Sequence, residues 1–134
     1  MATQLQHTLR AFDEDIDELR ALVAEIGDLV VNAISSAMAA LESHDEMLAQ
    51  KVVANDVAID RLERKIDNLA IQTIALRAPM ANDLRELVAT LKISGVLERV
   101  GDHAKNIAKC IPDFAGSKEG MEREALHEMA LLSS

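Results

Sequence analysis

Apolar side chains at Leu5, Leu9, Phe12, Ile16, Leu19, Val23, Ile26, Val30, Ala33 and Ala37 follow one another at spacings of four and three, with no polar interruption. Only a long α-helix brings such positions onto one stripe, and a stripe of that length has to be covered by other helices. Leu22, Leu29, Ile34, Met38 and Leu41 widen it into a core-facing band. At a rise of about 1.5 Å per residue the helix predicted over 3–43 is roughly 60 Å long. Ser43, His44 and Asp45 interrupt the pattern, and Asp45 has the short acceptor side chain of an N-cap.

A second helix is predicted over 46–78, with Leu48, Val52, Ile59, Leu62, Ile66, Leu69, Ala70 and Thr73 on its inner face. Pro79 ends it, because proline disfavours the helical conformation at Ala78 and lacks a backbone donor. A third helix is predicted over 81–111, stopped by Pro112. No stretch alternates in the manner of a strand. Helices joined by such short connections lie antiparallel to their sequence neighbours. The fold class expected is therefore all-α, an up-down-up three-helix bundle over 1–112 with left-handed, coiled-coil-like packing. Residues 113–134 read as a loop followed by a truncated fourth helix over Met121–Leu132.

Composition narrows the function. The net charge of −9 opposes the basic surface that phosphate backbones require, and two Phe with no Tyr or Trp leave no base-stacking platform, so a nucleic-acid partner is not expected. A single cysteine, Cys110, excludes an intramolecular disulfide and a cysteine-based zinc site; near a helix end it reads as a small packing residue. No apolar run approaches the ~18 residues of a membrane span, and no basic-then-apolar leader follows Met1, so a cytoplasmic chain without membrane insertion is expected. Nucleophile triads, glycine-rich phosphate loops and dinucleotide fingerprints are lacking, so no enzyme and no phosphate pocket are expected. Glu124 and His127 have the Glu-x-x-His spacing of di-iron helices, but such centres need two copies and the chain has one.

What remains is acidic. Residues 1–70 carry 14 acidic against 6 basic side chains. Asp56, Asp60, Glu63 and Asp67, at spacings of four, three and four, form one ridge of the second helix, and Glu98 and Asp102 stack one turn apart on the third. Like charges at i, i+4 repel by a few tenths of a kcal/mol. Such a ridge is solvated, neutralised by partners such as Arg61, Arg64 and Lys65, or occupied by a hard cation. Gly95 and Gly101 flank Glu98, each costing roughly 1 kcal/mol relative to alanine inside a helix, and both leave room for close approach by a neighbour. Leu84, Leu87 and Leu91 lie on the line that Glu98 and Asp102 continue, and His103 stands beside the pair.

The stretch ALRAPMANDLRELVATLKISGVLERVGDHAKNIAK, from Ala75 to Lys109, resembles the signature region of the PhoU family, accessory regulators of bacterial high-affinity phosphate transport. The resemblance rests on Pro79 followed by Asp83-Leu84-Arg85, on Leu97-Glu98-Arg99-Val100-Gly101-Asp102, and on Asn106-Ile107-Ala108. Asp56, Ile59-Asp60 and Leu62-Glu63 match the preceding helix, and the likeness extends over roughly residues 5–112. It implies tandem three-helix bundles with E(D)-x-x-x-D pairs that hold metal. Here those pairs are Asp56 with Asp60 and Glu98 with Asp102, and Glu63 and His103 are additional ligands to consider. The implied cofactor is a divalent or ferric ion (Fe, Zn, Mn or Mg). The implied partners are the ATPase subunit of the phosphate ABC transporter and a membrane sensor histidine kinase, with Arg85 and Arg99 as contact residues and a homodimer as the assembly. The implied role is negative regulation of the phosphate-starvation response by contact rather than catalysis. The competing expectation from the residues alone is a structural interaction bundle whose acidic face is only solvated. Gly95 and Val96 stand where the family commonly has a polar or acidic pair. The segment after Gly120 matches only the start of a second repeat.

Overall fold

The computed structural model describes residues 2–116 as three helices: α1 (Ala2–Ser43), α2 (Glu46–Arg77) and α3 (Asn82–Gly116). No strand occurs among the described residues. The first connection is a helix stop followed at once by a helix start. His44 takes the left-handed conformation at φ 53°, and the Asp45 N–H donates to the Ala40 carbonyl at 3.0 Å, closing the end of α1. Asp45 then returns to extended backbone, and its Oδ1 accepts from the Leu48 N–H at 3.1 Å, so it is the N-cap the sequence predicts. Ala78 closes α2 in the left-handed region (φ 44°, ψ 54°), its N–H donating to the Ile74 carbonyl at 3.1 Å. Pro79 follows, which puts the end of α2 one residue before the position predicted.

Each helix packs on both others. Side-chain contacts fix their directions. Near the start of α1, Asp15 Oδ2 accepts from Thr73 Oγ1 at 3.2 Å and faces Arg77 Nε at 3.5 Å, both at the end of α2. Arg20, one turn on, pairs with Glu86 near the start of α3, its Nε donating to Oε1 at 3.1 Å. So α2 runs against α1 and α3 runs with it, the up-down-up order expected.

The core has two parts. Ile16, Leu19, Leu22, Ile26, Val30, Ile59, Ile66, Ala70 and Leu87 form the larger, built from branched side chains of all three helices. Ala37, Ala40, Ala49, Val52, Ala104, Ala108 and Ile111 form the second, where alanines let the helix axes draw closer. On α2, Val52, Ile59, Ile66, Ala70 and Thr73 are buried as predicted; Leu48, Leu62 and Leu69 are half-buried, and Ala49 and Asp56 join the inner face unforeseen.

Four expectations need correction. Pro112 does not stop the third helix, which continues to Gly116. Proline forfeits one backbone bond but its fixed φ is helical, and Ile111, only 1% exposed in the alanine-rich cluster, anchors the turn before it. Leu5 and Leu9 are 62% and 56% exposed, because Asp15 already meets the last residue of α2 and the first turns of α1 run past it. Cys110 is exposed rather than packed. Finally, α1 contains an 18-residue window of mean hydropathy 1.4, long and apolar enough by composition to cross a membrane. The same helix carries Ile26, Val30, Ala37 and Ala40 into the core, while Val31, Ile34 and Met38 stay exposed. The fourth helix predicted over Met121–Leu132, including Glu124 and His127, lies outside the described residues.

Gly101 sits where three helices converge: a Cβ there would lie 3.2 Å from Ile59 Cδ1 and 3.6 Å from Val30 Cγ2. Gly95 has open space at its Cβ position, so only one of the two glycines serves a close approach.

Candidate functional site

The acidic ridge of α2 and the acidic pair of α3 meet across the α2–α3 seam. Asp60 and Glu63 from α2 and Glu98 from α3 each place one carboxylate oxygen within 4.8 Å of the other two, and all three side chains are half-buried. Among the described residues none of the three has a basic partner within ion-pair distance. An ion ligated at about 2.0–2.6 Å has its oxygens up to roughly 5 Å apart, so this trio has the spacing of ligands that share one cation.

Charge crowding shows in the acid–base chemistry. Burial holds Glu63 above its ordinary value of 4.5, and Glu98, Asp67 and Asp60 push the same way against a small opposing effect of Arg64. Glu98 is raised first by burial, then by Asp60, Asp102 and Asp56, with Arg99 opposing. Asp67, on the same ridge, is raised by burial. One turn away, Asp56 is almost fully buried. Its Oδ2 lies 3.3 Å from Lys105 Nζ on α3, and its Oδ1 is buried with no hydrogen-bond partner. The hydrogen bond to Asp56 is the main cause that raises the Lys105 ammonium, with Asp102 and Asp60 adding smaller attractions.

The residues singled out from the sequence thus separate. Asp60 and Glu98 come together with Glu63, which the family resemblance gave only as an additional ligand. Asp56 belongs instead to a buried pair adjoining the trio. Asp102 is exposed and stands outside the trio, although its charge is felt by Glu98. His103 is exposed, as are Arg85 and Arg99, and neither arginine has an ion-pair partner among the described residues. Lys105 was missed. The signal was present, since Glu98, Asp102 and Lys105 repeat at four and three on one face of α3.

Among the described residues Arg61, Arg64 and Lys65 make no ion pair with the acidic ridge, although Arg64 acts on Glu63 from a distance. With Glu18, Asn68, Leu69 and Gln72 they line an open groove of about 440 Å³.

Raised carboxyl values carry a sign for stability. A folded state that holds protons more tightly than the unfolded chain loses stability as pH rises through the window just above the ordinary carboxyl values. The variant Glu98→Gln cannot ionise and escapes this loss. In chelator at pH 7 it is expected to melt higher than the parent by about 0.5 kcal/mol equivalent, kept small by partial exposure and screening. The gain should fade as pH falls below the ordinary glutamate value of 4.5, where Glu98 of the parent takes up its own proton. Thermal melts across pH check this; an equal or lower melting point at pH 7 contradicts the crowding.

The chain matches the family model described as PhoU domain over residues 23–111. It is similar to the "Phosphate-specific transport system accessory protein PhoU homolog" of Zymomonas mobilis, 48% identical over 111 residues, covering 83% of this chain and 47% of that protein. The homologue of the same description in Rhizobium meliloti is 42% identical over 130 residues, covering 94% of this chain and 55% of its own. That of Streptococcus pneumoniae is 32% identical over 122 residues, covering 91% and 56%. The chain spans about half the length of these curated relatives.

Proposed function

Because the chain belongs to the PhoU family, whose relatives are named as accessory proteins of phosphate-specific transport, we propose that it restrains phosphate uptake and the phosphate-starvation response by protein contact. On this reading it is a non-enzymatic cytoplasmic module. Its partners are the ATPase subunit of the phosphate transporter and a membrane sensor histidine kinase, and it works as a homodimer. Regulation of this kind needs a surface that binds one partner state better than another. The acidic α2–α3 seam is the surface proposed here, with Arg85 and Arg99 contributing contacts.

The observation that carries the reading is the convergence of Asp60, Glu63 and Glu98 beside the buried, half-partnered Asp56. An all-oxygen, all-anionic donor set suits a hard cation, Mg, Mn or ferric iron, better than zinc. The residues fit such an ion: Asp60, Glu63 and Glu98 would hold it, with Asp56 and Asp102 the nearest further carboxylates and His103 a nitrogen at the periphery. The ion would cancel their mutual repulsion and present a positive centre to an acidic group on a partner.

Elemental analysis of protein purified without chelator tests this, with Asp60→Ala/Glu98→Ala beside it. About one metal ion per chain in the parent and none in the variant is the expected result. The variant should fold, since it removes repulsion rather than packing. Manganese should raise the melting temperature of the parent alone. Metal in neither protein would overturn the site and favour the solvated acidic face, leaving the family membership untouched.

A further inference from the structure

Arg61, Arg64 and Lys65 stand out in a chain of net charge −9, because none of them has an ion-pair partner among the described residues. Helices usually spread such cations among carboxylates, and α2 has three within one turn of them, Asp60, Glu63 and Asp67. Instead the helix is divided lengthwise. Its acidic ridge faces α3, and its cations face outward beside α1, over an open groove whose remaining lining is Asn68, Gln72, Leu69 and Glu18. From Arg61 to Gln72 this wall runs roughly 16 Å along the helix axis. Its polar groups are two guanidinium forks, an ammonium and two amides, all able to donate, and a single carboxylate on the opposite wall.

The geometry points to a binding site for a short chain of phosphate groups in the α1–α2 groove, held by Arg61, Arg64 and Lys65 with Asn68 and Gln72. The class follows from the wall. A single phosphate is far shorter than the row of donors, whereas linked phosphates present acceptors along its length. Guanidinium groups bind phosphate oxygens in pairs, which a row of lysines would not do. An acidic peptide fits less well. Both groove walls are helices whose backbone groups are already bonded internally, so an extended peptide would find no free backbone edge to pair with. Leu69 is the one apolar contact and gives a peptide side chain no pocket. This groove shares no residue with the carboxylate trio, and the inference does not depend on the metal reading.

Calorimetric titration of the full chain with inorganic tripolyphosphate tests it, at low ionic strength and with chelator present so that no cation can bridge ligand to the acidic face. The expected result is saturable binding at one per chain. Arg61→Gln/Arg64→Gln/Lys65→Gln should weaken it by roughly tenfold or more, and Glu18→Gln should strengthen it about threefold by removing the one repelling carboxylate. Arg61→Lys/Arg64→Lys keeps the charge but loses the forks, and should fall between. All these side chains are on the surface, so unchanged circular dichroism is expected. ATP distinguishes the source of the phosphates: binding tighter than tripolyphosphate identifies a nucleotide stacked against Leu69, and equal or weaker binding an inorganic chain. Absence of saturable binding by either ligand, indifference to the triple substitution, or tighter binding of an oligo-glutamate peptide would each overturn the proposal.

Discussion

Ile66→Ala is expected to lower the free energy of unfolding by about 3 to 4 kcal/mol, read as a shift of the urea midpoint at nearly constant slope. Ile66 is fully buried and belongs to the larger core cluster, with Ile16, Leu19, Leu22 and Ile26 of α1, Ile59 of α2 and Leu87 of α3. Removing three carbons takes away their transfer free energy and leaves a void. The void closes poorly, because its walls are side chains fixed on three different helices. A domain of this size has about 5 to 15 kcal/mol in total, so the loss is a large share of it. A loss below about 1 kcal/mol would mean that the three helices are not packed around this layer as described. Val31→Ala, on the exposed face of α1, is the matched control and should change stability by less than about 0.5 kcal/mol.

The second large effect comes from adding atoms. Gly101→Leu is expected to cost about 2 to 3 kcal/mol, because even a Cβ would stand 3.2 Å from Ile59 Cδ1, and the remaining carbons must displace Ile59 or Val30 from the core. Gly95→Ala, six residues earlier on α3, should instead stabilise by up to about 1 kcal/mol, since its Cβ meets nothing within 4 Å and the helix gains backbone order. The contrast isolates packing from propensity: both positions are helical glycines, and only their neighbours differ. If both substitutions destabilised equally, the cost would have to be assigned to something other than contact with Ile59.

Much of this was legible in the residues. The uninterrupted seam of α1, the capping Asp45 and the Ala78-Pro79 stop are local signals, governed by period and backbone chemistry, and they placed α1 and α2 within a residue at each end. Where α1 runs past α2 could not be read locally, since exposure of Leu5 and Leu9 depends on the length of a different helix. Pro112 failed for a related reason: a tertiary anchor at Ile111 outweighs a local breaker. At the acidic face, spacing found the ridge and the pair but not their rotation about the seam. That rotation brought Glu63 in beside Asp60 and Glu98 and left Asp102 outside. Such choices rest on angles between helices, which no single helix encodes.

Lys105 adds a consequence of its own. Its ammonium rests 3.3 Å from Asp56, within the field of Asp102 and Asp60, so the acidic seam already contains a cation fastened to the chain. A tethered ion is never diluted: its effective concentration is set by the length of its stem and is independent of how much protein is present. Any free cation entering beside Asp56 must therefore exchange with a resident rival rather than fill a vacancy. Occupancy then has a threshold in free ion concentration that the lysine sets, and shortening or neutralising that one side chain is the way to move it.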